Sequence, residues 1–84
     1  GIGWADAALG VFVGLPPSVQ EQIRRRLEYV RDNPRMYPLS ARGPHRGLRR
    51  FHVFRRWTVY YRFMTTEEYE AAEVVAIRPA RARR

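Results

Sequence analysis

Five residues in two neighbouring stretches carry side chains suited to phosphate chemistry at a spacing of two. Arg50 and His52 precede Thr58, Tyr60 and Arg62, and in an extended chain every second side chain points to the same side. On one surface they offer guanidinium forks for phosphate, an aromatic ring for a base and an imidazole able to move a proton near neutral pH. Metal-free RNA cleavage asks for that inventory. A base takes the proton from a ribose 2′-hydroxyl, an acid protonates the leaving 5′-oxygen, and cations stabilise the charge growing on the phosphate. His52 suits the base or the acid, Tyr60 or Tyr61 positions or donates, and Arg50, Arg62 and Arg81 suit the phosphate. DNA has no 2′-hydroxyl to attack, so such a surface selects RNA. Plainer roles stand beside these: His52 as a solvated strand residue, Tyr60 as surface packing, and Tyr61, which shares the parity of Trp57 and Val59, as core. His45, among the glycines and prolines of a loop, reads as a bystander.

The elements that must position these residues follow from period and punctuation. Phe51 and Val53 alternate with Arg50, His52 and Phe54, and Trp57, Val59, Tyr61 and Phe63 alternate with Thr58, Tyr60, Arg62 and Met64. Period two, rich in aromatic and β-branched residues, predicts two antiparallel strands with a turn near Arg55-Arg56. In that turn the two arginines favour solubility and repel edge pairing. Thr65–Glu73 is expected to be an exposed acidic connection and Val74–Ile77 a third strand, with Arg78 or Arg81 closing its edge. Ile2–Trp4 suits a short first strand that joins the sheet. Upstream, Ala5–Val13 reads as a short helix stopped by Gly14 at its C′ position. The turn Leu15-Pro16-Pro17-Ser18 opens a second helix, with Val19, Ile23, Leu27 and Val30 in one apolar stripe and Asn33-Pro34 at its end. Two helices joined by a short proline turn suggest an antiparallel hairpin that lays its stripe on the apolar sheet face.

Composition narrows the function classes. With 84 residues the chain has room for one small domain, which buries only about 60% of its unfolded surface. There is no cysteine, hence no disulfide framework. Two histidines, with the carboxylates mostly elsewhere, make no metal site, and no metal or cofactor is expected. The apolar run Ala7–Leu15 is too short to span a bilayer and has no basic leader, so a cytoplasmic protein without membrane contact is expected. The net charge is +8 and every basic residue is arginine. A GC-rich coding sequence accounts for arginine over lysine but not for its placement. Residues 23–64 carry 12 arginines against only Glu28 and Asp32, and no acid lies between Asp32 and Glu67. Such a block attracts polyanions.

In the order of its segments the chain resembles the RelE/ParE toxins of bacterial type II toxin–antitoxin modules. The matching residues are Trp4-Ala5-Asp6-Ala7-Ala8-Leu9, Leu15-Pro16-Pro17, Asn33-Pro34 after the amphipathic helix, Gly47-Leu48-Arg49-Arg50-Phe51, Trp57-Thr58-Val59-Tyr60-Tyr61-Arg62 and Ile77-Arg78-Pro79-Ala80-Arg81. The resemblance implies an α+β fold, a helical hairpin on a small, mainly antiparallel sheet, with residues 1–84 as a single toxin domain. It also implies neutralisation by a cognate acidic antitoxin, which suits the basic centre of the chain. Members divide between ribosome-dependent mRNA cleavage and inhibition of DNA gyrase. The first expectation is a metal-independent endoribonuclease acting on mRNA in the ribosome. His52, Tyr60 and Arg81 would be catalytic, and Arg49, Arg50, Arg62 and Arg78 would bind the RNA phosphates. Thr58, however, stands where many RNA-cleaving members carry arginine, and the last tyrosine is Tyr69, in the acidic connection. The Trp57–Arg62 string lies nearer the ParE-like pattern. A non-catalytic gyrase inhibitor, or a degenerate toxin acting only in an antitoxin complex, are therefore the alternatives.

Overall fold

Proline and glycine punctuation divides the chain much as expected. In the computed structural model, which describes residues 2–65 and 70–80, the order is β1 (Ile2–Trp4), α1 (Asp6–Val13), α2 (Pro17–Asp32), β2 (Arg49–Val53), β3 (Trp57–Thr65) and β4 (Glu70–Pro79). Pro17 opens α2, where a missing N–H costs nothing. Gly14 ends α1 with a right-handed backbone: its φ is −88°, and its N–H donates to the Val11 carbonyl at 3.1 Å. The two helices are tied by the Gln20 amide donating to the Phe12 carbonyl (2.9 Å) and by the Arg24 guanidinium over the Phe12 ring.

The four strands form one mixed sheet in the order β1-β4-β3-β2. β2 and β3 pair antiparallel, as do β3 and β4, while β1 runs parallel to β4 with Ile2 opposite Ala72. β4 begins earlier than expected. Glu70–Glu73 belong to the strand rather than to an acidic loop, and residues 66–69, including Tyr69, lie outside the described residues. The acidic residues hid the alternation, because Ala72 faces the core whereas Glu73 faces outward to Arg62 at 2.7 Å. A β-bulge sets this phase. Tyr60 pairs with Ala76 but Tyr61 with Val74, so Val75 is an extra residue. Without it, strict alternation from Ile77 would send Glu73 into the core.

One face of the sheet carries the core. Val19, Ile23, Leu27 and Val30 of α2 meet Phe51, Val53, Val59, Tyr61, Val74 and Ile77, and α1 adds Ala8 and Phe12. Each fully buried aliphatic side chain contributes about 1.5–3 kcal/mol. Arg26, on the flank of the stripe, has a structural place. Its Nε donates to the Tyr37 hydroxyl (2.6 Å) and its Nη1 to the His52 carbonyl (3.0 Å), with the guanidinium over the Phe51 ring. With the Arg50 N–H donating to the Pro38 carbonyl (3.1 Å), this covers the outer edge of β2.

The β2–β3 turn is displaced by one residue from expectation. Phe54 belongs to the turn, and both Phe54 and Arg55 have left-handed backbones, with φ of 51° and 56°. For side chains other than glycine this costs roughly 1–2 kcal/mol each.

Candidate nucleic-acid interface

The sheet face opposite the core gathers most of the residues singled out by alternation. β2 supplies Arg50 and His52, β3 supplies Thr58, Tyr60 and Arg62, and β4 supplies Ala76 and Arg78. Register fixes their neighbours: Arg50 lies directly across from Tyr60, His52 across from Thr58, and Arg78 across from Thr58 on the other side. His52 and Tyr60 are thus diagonal partners, about 7–8 Å apart at the backbone. Arg49 does not join them. Its register partner is the core residue Tyr61, and its Nη1 donates to the carbonyls of Tyr37 (2.6 Å) and Arg35 (3.3 Å). Arg81 lies outside the described residues.

Hydrogen bonds and packing distinguish these groups. Thr58 is buried, and its hydroxyl shares a 3.0 Å hydrogen bond with Nδ1 of the exposed His52 ring. Arg62 is engaged by Glu73 at 2.7 Å. Arg50 reaches the Ser40 hydroxyl at 3.2 Å and the Leu39 carbonyl at 3.3 Å, distances long enough to be given up for a phosphate at small cost. Tyr61 belongs to the core: its hydroxyl donates to the Pro34 carbonyl at 3.0 Å. Burial pushes its phenol above the ordinary value near 10, with the Arg49 charge opposing.

The loop before β2 contributes a residue that alternation could not reveal. His45 stacks on Tyr60 with ring centroids 4.0 Å apart and planes 23° from parallel. The loop is shaped for this by Gly43 and Gly47, both left-handed with φ of 77° and 85°. It is closed by the Gly47 N–H donating to the Ser40 carbonyl (2.9 Å) and the Ser40 N–H to the Leu48 carbonyl (2.7 Å). The only signal available was a histidine between two turn glycines in the stretch that carries no acid. Arg42 arrives with the same loop and, with Ser40, Arg50 and Tyr60, lines a cavity of about 330 Å³.

Among the described residues no three His, Cys, Asp or Glu side chains are grouped to hold a metal ion. None of their helices is long and apolar enough to cross a membrane. The arrangement offers a half-exposed ring pair, an imidazole whose Nδ1 is oriented by a hydroxyl, and several guanidiniums around them.

No protein-family model and no curated protein matches the sequence. Among solved structures, a chain of the intact E. coli RelBE toxin–antitoxin complex superposes with a TM-score of 0.72 at 18% identity, covering 98% of this chain and 96% of that one. The α+β architecture, two helices on a four-stranded mixed sheet, is thus a RelE-like fold.

Proposed function

We propose that this protein is the toxin of a type II toxin–antitoxin pair and that its basic sheet face cleaves mRNA held in the ribosome. The observation that carries the toxin role is the end-to-end likeness of fold to a chain of a toxin–antitoxin complex. The activity is supported by the face itself. Arg50 and Arg78 flank the Tyr60–Thr58 stretch, and Arg62 continues it toward Glu73. In the proposed reaction one of His52 and Tyr60 takes the proton of the 2′-hydroxyl and the other returns one to the 5′-oxygen, while Arg50, Arg62, Arg78 and Arg81 hold the phosphate. No metal or cofactor enters this scheme. His45 positions the Tyr60 ring or yields its place to a base. The partner that silences the protein is an acidic segment that folds on binding over the arginine block, and the site of action is the cytoplasm.

One observation favours gyrase inhibition as the second reading. The position after Trp57 is the buried Thr58, tied to His52, so it presents no free cation at the centre of the face. Pulse labelling after induced expression separates the two. Protein synthesis stops first if mRNA is cut, with new 5′ ends in a translated reporter mRNA that are absent for Arg50→Ala. DNA synthesis stopping first, with reporter mRNA intact and gyrase supercoiling blocked, would transfer the assignment to gyrase.

A further inference from the structure

At the β2–β3 turn, away from the residues assigned above, Phe54, Arg55 and Arg56 form an exposed tip, and we infer that this tip is a second contact for single-stranded nucleic acid. The inference rests on the reading that the protein acts on RNA, and it adds a site that holds the strand without taking part in its cleavage.

The backbone is the first observation. A tight hairpin turn with two left-handed residues is satisfied at least cost by Asn-Gly. This chain places Phe54 and Arg55 there, with φ of 51° and 56°. A bulky side chain in that region is an outlier, and such outliers persist where the surroundings hold them. Here the Arg56 N–H donates to the Val53 carbonyl (3.1 Å), and the Ala80 N–H donates to the Arg56 carbonyl (2.8 Å), pinning the turn to the end of β4.

The side chains are the second observation. Phe54 is 56% exposed and takes no part in the core cluster, so folding makes little use of its ring. Arg55 and Arg56 are exposed, and among the described residues neither meets a carboxylate. Beside the tip opens a cavity of about 540 Å³, lined by Pro16, Val19, Trp57 and Pro79 with the two arginines. A flat ring for one base, an apolar slot with a half-buried indole for the next, and two guanidinium forks for the phosphates meet the needs of single-strand binding. An acidic peptide can also pack on the ring, but the tip continues the outer face of the same two strands proposed to hold RNA, and that continuity makes a nucleic acid strand the occupant.

Fluorescence anisotropy with a short labelled 2′-O-methyl oligoadenylate reads binding alone, since that strand lacks the nucleophile for cleavage. The double variant Phe54→Asn, Arg55→Gly installs the preferred turn pair. Its Tm is expected to rise while affinity falls about tenfold or more and the salt slope shrinks by about 0.7 for the lost arginine. Phe54→Leu, which keeps bulk without a π face, is expected to lose about fivefold or more, and Phe54→Trp to bind as tightly as the unaltered protein. A double variant that is more stable yet binds as before would make the tip a purely structural turn and overturn the inference. Undiminished binding by Phe54→Leu would do the same, as would a labelled polyglutamate peptide whose affinity follows the tip variants while the oligonucleotide's does not. Arg50→Ala separates this from the parent reading. Binding weakened by Arg50→Ala but by no tip variant removes the tip alone, whereas no binding by the unaltered protein removes both.

Discussion

Two adjacent rungs of the β2–β3 ladder use the same pair of residue types for opposite ends. In one, Arg49 stands across from Tyr61. In the next, Arg50 stands across from Tyr60. The first rung faces inward. Tyr61 is 0% exposed with its hydroxyl on the Pro34 carbonyl, and Arg49 grips the Tyr37 and Arg35 carbonyls, so together they fasten the chain leaving α2 to the sheet. The second rung faces outward, where Tyr60 stacks on the His45 ring and Arg50 makes long bonds to a loop. The difference teaches that residue type says little about role here. A shift of one position turns a structural clamp into groups free to meet a ligand.

The sharpest test replaces the two tyrosines. Tyr61→Ala is expected to lower unfolding free energy by about 3–5 kcal/mol, the cost of emptying an aromatic site in a core. Tyr60→Ala is expected to cost less than about 1 kcal/mol in urea denaturation while abolishing growth arrest. Equal losses of stability would break the contrast between the rungs. The arginines come next. Arg49→Ala forfeits charge-assisted bonds to two carbonyls and is expected to cost about 1.5–3 kcal/mol. Arg50→Ala should cost under about 1 kcal/mol and act on translation in an extract instead of on Tm. The smallest effect is confined to alkali. Because Tyr61 titrates above its ordinary value when folded, the stability it contributes is intact below about pH 10 and is lost as pH rises through the raised value. Tyr61→Phe, which cannot ionise, is expected to flatten that alkaline decline in a pH series of denaturation midpoints.

Much of this division was legible in the residues themselves. The stripe of α2 and the alternation of β3 put Ile23 and Val59 inside and Tyr60 and Arg62 outside, and the second helix and the β2–β3 pair follow from such periods. Other features escaped. The start of β4 was masked because Glu70 and Glu73 look like loop residues, and only the bulge at Val75 lets Glu73 face out while Ala72 and Val74 face in. Nothing in the sequence sets Arg49 apart from Arg50, since a charged residue at an inward position gives no sign of carbonyls brought to it by a distant loop. The place of His45 is not legible because stacking on Tyr60 depends on the three-dimensional path between Gly43 and Gly47, which carries no period at all.

The parallel pairing of β1 with β4 also orders events in time. The β2–β3 hairpin and the helices join segments close along the chain, so they can form as soon as those segments leave a translating ribosome. β1 cannot do so. Its partners are Ala72, Glu73 and Val74, and a contact between such distant parts of a chain carries the greatest loop-closure entropy and forms slowly. Trp4 therefore waits in the nascent chain, its ring unable to settle between β4 and Phe12 until nearly every other strand has been made. The sheet is closed by its first strand last.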